Sequence, residues 1–374
     1  MATISKYQTK AGVRYRVRYR TPDRRQTDRR GFVTKREADA FAATVEVEKL
    51  TGSYIPPRLG HITVDELGPV WLERKRATST ASWAHSLDTT WRVHVSPRWG
   101  HMRVADVDTL GVESWIAEMA KLRSPTVVIR AHGVLAGILD DAVKAKRLGI
   151  NPSRLVENLP KRSTKKHVYL NGEDVHALAS AAGDRATIVY VLAFTGLRWG
   201  ELIALRVRDI EFLRHRLSVE RNAVWVSGAC VVGPTKGKES RSVTVPEFVV
   251  KMLSVHCIGR APDDLVFPAS SGGFMARPKS GRGWFAQAVK RSGVEAATTP
   301  HSLRHTCASL TVSAGGNILA LARMLGHKDP SVTLKVYSDL FDSDLDALGE
   351  ALDKRHSRQI VGKMWAAPEI THLP

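Results

Sequence analysis

Hydrophobic residues recur at helical spacing through most of this chain and alternate with polar residues only in short stretches. Between residues 61 and 160 the apolar positions repeat every three or four residues in four segments, which predicts a helical domain. From residue 167 onward, helical segments are interrupted by short strands, which we expect to form one small sheet. The predicted fold is therefore multidomain and mainly α with small β-sheets. The helices predicted after residue 167 include Asp174–Ala182 and Ala186–Thr195, and the predicted strands are Leu217–Val219, Val224–Val232 and Ser242–Val245.

One strand near the N-terminus alternates strictly and carries four arginines on one face. In the stretch Gly12–Arg20, apolar side chains occupy one side and cations the other, because successive strand residues point to opposite faces. A capping box at Thr34–Glu37 then predicts a helix. The cationic face has two interpretations, a solvated surface of a small sheet or a ribbon that enters the major groove of DNA. The four arginines, our candidate DNA-binding residues, are Arg14, Arg16, Arg18 and Arg20.

Proline, glycine and charge mark the domain boundaries. The residues Pro56, Pro57 and Gly60 indicate one linker, and a basic stretch around Pro160 indicates another. The predicted divisions are an N-terminal domain at 1–58, a helical domain at 61–157, a linker at 158–166, a catalytic domain at 167–350 and a tail at 351–374.

Composition narrows the class of partner. The 374 residues carry a formal net charge of +19, and the first 60 hold 14 basic against 6 acidic residues, which points to a polyanion. Charge alone also fits a ribosomal or membrane-surface protein, but 43% hydrophobic residues and nine tryptophans indicate folded domains. Three scattered cysteines predict a reducing compartment. We find no signal peptide and no apolar run of about 18 residues, so we expect a cytoplasmic protein.

The stretch 299–337 gathers groups suited to a phosphodiester. Pro300 suits the first turn of a helix, on which His301, Arg304 and His305 share one face. A glycine pair ends that helix, Asn317 caps a second helix, and Gly326 ends the second and presents His327. A third helix, begun by Asp329 and Pro330, carries Tyr337 two turns later.

The chemistry of phosphoryl transfer needs these residue types. A phosphodiester under attack gathers negative charge, and the planar fork of arginine matches two of its oxygens. Histidine donates hydrogen bonds or moves protons. Tyrosine has a pKa of about 10, so as a nucleophile it needs a base and nearby cations.

Each residue also has a plainer interpretation. A tyrosine after an amphipathic helix is most often a core or interface residue. His301 and His305 have the spacing of metal ligands, but no Glu follows His301 as in the H-E-x-x-H zinc motif. The cysteines, Cys230, Cys257 and Cys307, are far apart in the sequence. We therefore expect no metal site.

Taken in order, these motifs resemble a known family. H-S-L-R-H at 301–305, L-G-H at 325–327 and Tyr337 resemble the C-terminal signature of the tyrosine recombinases, or phage-type integrases. T-G-L-R-W-G-E-L at 195–202 is similar to the first arginine box of that family. P-T-K-G-K at 234–238, in the turn predicted between the last two strands, fits the place of the family's hairpin lysine. Lys236 is the favoured match there, with Lys238 and Arg241 as alternatives.

The resemblance implies a role for each matched residue. Tyr337 would be the nucleophile that forms a 3′-phosphotyrosyl link, and Arg198 and Arg304 would clamp the non-bridging oxygens. His301 would act in proton transfer with the tyrosine, Lys236 would protonate the leaving 5′-oxygen, and His327 would stabilise the transition state. Glu201 would be a supporting residue. The resemblance implies that neither a metal nor ATP is required.

It also implies an architecture and partners. The small sheet with its helix resembles the arm-binding domain of lambda-type integrases, and the helical segment resembles their SAM-like core-binding domain. Four protomers would act on core-type and arm-type attachment sites through a Holliday junction, with a host DNA-bending protein and an excisionase as further partners. The amphipathic stretch 339–352 would pack on a neighbouring protomer.

The function expected from the sequence is therefore integration, and excision, of a phage or mobile element by site-specific DNA recombination. A chromosome-dimer resolvase of the same family is an alternative, although such resolvases lack the basic N-terminal sheet. A DNA-binding regulator without catalysis and a metal-dependent nuclease are alternatives from other classes, and loss of Tyr337 or a chelator would separate them.

Overall fold

The structure, a computed structural model, describes residues 2–22, 24–51, 54, 56–162, 167–235, 240–278, 281–327, 329–337 and 356. At 57, 58, 332 and 335–337 only the backbone is described. The chain divides into two compact units, residues 1–164 and 165–374, and the division lies within the predicted linker at 158–166. The predicted stretch 339–352 lies outside the described residues, as does the tail 351–374 apart from His356.

The N-terminal part of the first unit is an antiparallel sheet covered by one helix. Strands β1 (Thr3–Thr9), β2 (Gly12–Arg20) and β3 (Gln26–Phe32) pair in the order β1-β2-β3, and α1 (Lys35–Leu50) follows. Val17 and Tyr19 of β2 are buried against Ala38 and Val45 of α1. The predicted alternation of β2 and the capping box of α1 are confirmed, whereas β1 was not predicted. A bulge at Gly31 lies in β3, so the alternation of β2 is uninterrupted.

The rest of this unit is the predicted helical domain. Its core is rich in tryptophan, and glycines make room for the rings: a Cβ at Gly68 would lie 2.3 Å from the Trp91 ring, and one at Gly137 would lie 2.7 Å from Trp71. A π-helical turn, Trp91–Val95, joins the second and third of these helices. The helices are α2 (Val64–Thr78), α3 (Ala81–Thr90), α4 (Ser96–Trp99), α5 (Thr109–Leu122) and α6 (Pro125–Lys144).

In the second unit, one apolar helix lies at the centre of the core. That helix is α8 (Ala186–Thr195), which lies against α7 (Gly172–Ala182), α10 (Glu247–His256) and α12 (Pro300–Ser313), and most of its side chains are buried. Both predicted helices, α7 and α8, are confirmed. The helices are α7 (Gly172–Ala182), α8 (Ala186–Thr195), α9 (Trp199–Ile203), α10 (Glu247–His256), α11 (Trp284–Ser292), α12 (Pro300–Ser313), α13 (Ile318–Leu325) and α14 (Pro330–Tyr337).

Within the described residues, the stretch Gly172–Thr195 is long and apolar enough, by length and composition, to cross a membrane. It consists of α7 and α8 with a 3₁₀ turn at Gly183–Arg185 between them. Because α8 belongs to the buried core of this unit, the apolar composition is explained by burial within the protein.

The strands of the second unit differ from the prediction. They are β4 (Ile210–Glu211), β5 (Arg216–Val219), β6 (Arg221–Val226), β7 (Ala229–Pro234) and β8 (Arg241–Thr244). The predicted single strand Val224–Val232 is wrong, because Ser227 and Gly228 both have positive φ and turn it into the hairpin β6-β7. The predicted single sheet is also wrong: β4-β5-β8 is one sheet and β6-β7 another. The segment between β7 and β8 therefore links two sheets. The fold class, mainly α with small sheets, is confirmed.

Gly196, which ends α8, is required by conformation and by space. Its φ is +63°, and a Cβ there would lie 2.6 Å from Leu325 Cδ2 and 3.3 Å from Cys307 Sγ. Gly293 ends α11 in the same left-handed conformation but has nothing within 4 Å of a built Cβ.

We predict that Gly196→Ala lowers the free energy of unfolding more than Gly293→Ala does. Both variants place alanine in a left-handed conformation, which costs about 1–2 kcal/mol. Only Gly196→Ala also overpacks the core, which adds about 1–3 kcal/mol. Urea unfolding followed by circular dichroism measures the difference, and equal losses in the two variants would contradict it.

Candidate active site

Arg198 is positioned by the break between two helices. Helix α8 ends at Gly196, and Arg198 is the N-cap residue of α9 with an extended backbone. Its backbone N–H donates to Glu201 Oε2 at 2.8 Å, and its Nη1 donates to Glu201 Oε1 at 2.9 Å. These two bonds to one carboxylate aim the guanidinium of Arg198 while leaving about a quarter of its side chain exposed.

Glu201 is a buried carboxylate that two arginines share. Its side chain is 1% exposed, and Arg241 donates to both carboxylate oxygens, at 2.9 and 2.7 Å. Burial by itself would raise the pKa of Glu201, but the hydrogen bonds and charge of Arg241, helped by Arg198, hold it below its ordinary value. Glu201 is therefore ionised at neutral pH.

Arg304 ties three segments together from α12. The predicted helix start is confirmed, with Thr299 as N-cap and Pro300 in the first turn. The buried guanidinium donates through Nη1 to the carbonyl of Gly196 at 2.7 Å and through Nη2 to the carbonyl of Leu325. The same Nη2 lies 3.2 Å from His327 Nε2.

His327 follows the C-terminus of α13, as predicted. Gly326 takes a left-handed conformation at φ +70°, and His327 comes next. Arg304 can only donate hydrogen bonds, so Nε2 of His327 is the acceptor. Nδ1 therefore carries the ring proton and donates to Thr333 Oγ1 at 2.8 Å. Burial, then the charges of Arg304 and Arg198, lowers the pKa of His327 to about 4. The ring is neutral at pH 7.

Thr333 fixes the tautomer of His327 and was not predicted from the sequence. It is buried on α14, six residues beyond the histidine. The contact joins the end of one helix to the side of the next, so no periodic signal indicates it.

His301 lies beside two further histidines. The centroids of the His301 and His305 rings are 4.9 Å apart, and those of His167 and His305 are 4.1 Å apart. Burial, then Arg304 and other cations, lowers the pKa of His301, and burial, then His167, lowers the pKa of His305 to about 3. Neutral imidazoles at this place are able to accept a proton.

The histidine cluster does not fit a metal ion. Across the parts of the chain that the structure describes, no three His, Cys, Asp or Glu side chains gather as metal ligands would. The charges of Arg304, Arg277 and Arg198 act on His301 and would oppose a divalent cation there.

Two predicted catalytic groups lie beyond what the structure describes. Lys236 falls in the stretch 236–239, outside the described residues, as does the alternative Lys238. Tyr337 is the last residue of α14, and its side chain is not described. The other alternative to Lys236, Arg241, is engaged by Glu201 and is about 10% exposed, so it does not fit the place of a loop lysine.

The four arginines of β2 belong to the other unit. They alternate with the buried Val17 and Tyr19 and therefore lie on the sheet face opposite α1. Arg16 Nε donates to Ser5 Oγ at 2.9 Å, and Arg30 of β3, whose Cα pairs with Arg16, is ion-paired with Asp28 at 2.6 Å. The structure thus pairs Arg198 with Glu201 and Arg304 with His327, places His301 one turn from Arg304 on α12, and leaves Arg14, Arg16, Arg18 and Arg20 in a separate group.

Comparison with known proteins gives a consistent result. Residues 169–344 match the family model described as the phage integrase family. The integrase of Mycobacterium phage D29 is 30% identical over 287 residues, which cover 73% of this chain and 74% of that protein.

Solved structures share the fold. A Tn1549 transposon integrase in complex with a circular intermediate DNA has a TM-score of 0.66 at 20% identity, over 77% of this chain and 99% of that one. A lambda integrase tetramer bound to a Holliday junction has a TM-score of 0.56 at 16% identity, over 87% of this chain and 96% of that one. This chain therefore belongs to the phage integrase family, the tyrosine recombinases that carry out site-specific DNA recombination.

Proposed function

We propose that this chain integrates and excises the DNA of a phage or mobile element by cutting and rejoining strands through a 3′-phosphotyrosine at Tyr337. The observation that carries the proposal is the linked set Arg198, Arg304 and His327. Arg304 bonds to the carbonyl of Gly196, two residues before Arg198, and lies 3.2 Å from His327 Nε2. These groups are N–H donors or become so on protonation, as an anionic phosphate requires.

The two arginines would bind the non-bridging oxygens of the scissile phosphate. Arg198 has its backbone fixed by Glu201 and part of its side chain exposed, which suits direct contact. Arg304 would donate to the phosphate through the N–H that His327 accepts in the free protein. Both cations act where negative charge grows during attack, so they bind the transition state more tightly than the substrate.

The two histidines would have different tasks. His301, whose pKa is lowered by burial and nearby arginines, would accept the proton of Tyr337 as the phenol oxygen attacks phosphorus. His327, once an anion replaces it as the partner of Arg304, would donate to a phosphate oxygen in the transition state. Thr333 would hold the ring in place through Nδ1.

Lys236 would complete the reaction by protonating the 5′-oxygen as it leaves. The phosphorus–oxygen bond to that 5′-oxygen breaks as the bond to Tyr337 forms, so the tyrosyl ester conserves the bond energy. A 5′-hydroxyl from another strand would then attack the ester and release Tyr337. We propose on this basis that neither ATP nor a metal takes part.

Assembly and partners follow the same proposal. The lambda integrase structure named above is a tetramer bound to a Holliday junction, and we propose that four copies of this chain likewise act on two duplexes. The arginine face of β2 would hold arm-type DNA and the helical domain would hold core-type DNA. A host DNA-bending protein and an excisionase would set geometry and direction. The reaction would take place in the cytoplasm of a bacterial host.

We predict that Tyr337→Phe abolishes a covalent adduct that the unaltered chain forms with DNA. The test incubates each protein with a pool of randomised, nicked duplexes and recovers protein-linked DNA after denaturation, so the site need not be known beforehand. With the unaltered chain, protein-linked DNA of a particular sequence should be enriched, whether or not a chelator is present. Protease should release this DNA from the protein. Tyr337→Phe should enrich none, because phenylalanine has no oxygen nucleophile.

The other outcomes identify other functions. Specific, non-covalent binding by both proteins, with no adduct from either, would indicate a DNA-binding regulator. Chelator-sensitive cleavage without an adduct would indicate a metal-dependent nuclease. Either result would overturn the proposal.

We predict that Arg18→Gln weakens the salt dependence of duplex binding, whereas Arg29→Gln does not. Arg18 is exposed on the face opposite α1, whereas the guanidinium of Arg29 lies 4.8 Å from the Phe41 ring centroid on the helix side. Losing one phosphate contact should reduce the slope of log K against log salt by about 1. Fluorescence anisotropy on a random-sequence duplex measures both slopes. Equal slopes for the two variants would show that this face does not contact phosphate.

A further inference from the structure

Arg241, the first residue of β8, joins two segments that carry predicted catalytic residues. Its Nη1 and Nη2 donate to the two oxygens of Glu201, and its Nε donates to the carbonyl of Met324 at 2.8 Å. The first contact reaches the α9 turn, and the second reaches the last turn of α13. A single planar guanidinium therefore fixes two helices relative to one strand.

Each contact controls one residue of the site. Glu201, held from one side by Arg241, aims Arg198 through its own two hydrogen bonds. Met324 lies three residues before His327, and Gly326 between them packs directly on Arg241. A Cβ at Gly326 would lie 3.2 Å from Arg241 Cδ and 3.3 Å from its Nε. The side chain of Arg241 therefore connects the segment that carries Arg198 with the segment that carries His327.

The charge of Arg241 also helps to balance the charge of Glu201. The three groups Arg198, Arg241 and Glu201 carry one net positive charge at neutral pH, since one carboxylate is shared by two guanidinium groups. If Arg241 were absent, the buried carboxylate of Glu201 would have Arg198 as its one cationic partner among the ion pairs of the described residues. The full negative charge of Glu201 would then act on Arg198 alone and weaken the attraction of that arginine for phosphate.

Arg304 makes the matching contact on the other side of α13. Its Nη2 donates to the carbonyl of Leu325, the residue after Met324. Two successive carbonyls at the C-terminus of this helix are thus bonded to two arginines, where the helix dipole favours cations. Arg241 connects this helix end to the carboxylate that orients Arg198.

We propose that Arg241 is a positioning residue of the recombination reaction, which sets the placement of Arg198 and His327 and keeps Arg198 available to the phosphate. The proposal rests on the proposed function, in which Arg198 and His327 act on the scissile phosphate. Arg241 itself touches neither DNA nor the reacting atoms in this account.

The test measures cleavage and binding separately on the duplex recovered by the covalent capture described above. Arg241→Gln and Arg241→Lys should each slow single-turnover adduct formation by about 100-fold, because a misplacement of about 1 Å can cost that much. Their affinity for the duplex should stay within about threefold of the unaltered chain, because a transition-state contact is lost rather than a ground-state one. Lysine should not rescue, since it keeps the charge but cannot make the three bonds.

Arg221 provides a matched control. It pairs with the buried Asp209 through Nη2 at 2.6 and 2.7 Å, and it contacts none of the predicted catalytic residues among its described hydrogen bonds and ion pairs. Arg221→Gln also breaks a buried ion pair, so it should lower stability as Arg241→Gln does. It should form the adduct at the rate of the unaltered chain.

A double variant separates folding from positioning. Glu201→Gln combined with Arg241→Gln leaves no unpaired buried charge, so it should fold even where Arg241→Gln alone does not. It still lacks the anchor to Met324 and should remain slow. The pKa of His327, followed by NMR, should rise in the Arg241→Gln variants, in which a nearby cation is lost.

The outcomes distinguish this inference from the proposed function. If the unaltered chain forms no adduct, the proposed function fails. If the unaltered chain forms the adduct and the folded Arg241 variants form it as fast as Arg221→Gln does, the inference about Arg241 fails and the proposed function stands. Loss of duplex affinity in parallel with rate would also overturn it, since Arg241 would then be a DNA-binding residue.

Discussion

The buried carboxylate of Glu201 is the group on which the geometry of the site depends. An ionised carboxylate at 1% exposure is costly unless its oxygens are fully paired, and here four N–H donors from Arg198 and Arg241 meet them. The requirement works in both directions, because the arginines that satisfy the carboxylate are themselves fixed by it. Arg198 keeps part of its side chain exposed and Arg241 reaches α13, so satisfying one buried charge orders two sides of the site.

Arg304 and His327 extend this order by a different interaction. Carbonyls of Gly196 and Leu325 hold the buried Arg304, and backbone carbonyls cannot lose a proton as a side chain can. The arginine is therefore fixed at every pH at which the protein is folded. His327, by contrast, depends on its environment, since its neutral tautomer is defined by the N–H that Arg304 offers and by Thr333. The fixed guanidinium of Arg304 therefore lies beside the titratable ring of His327.

The sequence predicted local features well and non-local contacts poorly. Helix starts and ends were predicted correctly where caps and glycines act on their immediate neighbours, as Asn317 and Gly326 show. The hairpin β6-β7 was missed because Ser227 and Gly228 turn within a run whose apolar residues continue on both sides. The pairing of Arg241 with Glu201 spans 40 residues and that of His327 with Thr333 joins two helices, so neither has a periodic signal. Family resemblance named the predicted reacting residues and the supporting Glu201, whereas the orienting contacts of Arg241 and Thr333 required coordinates.

The site carries an excess of positive charge until an anion binds. In the free protein, the charges of Arg304, Arg198 and Arg241 act on His327 and help to keep its pKa near 4. A phosphate placed among the same arginines would offset part of their positive charge, and a nearby anion raises the pKa of a histidine. The ring that accepts a hydrogen bond from Arg304 at rest would then gain a proton and become a donor. The DNA would thus convert His327 from a hydrogen-bond partner of Arg304 into a donor to the phosphate. Binding of DNA would thereby produce the positive charge on His327 that the reaction needs.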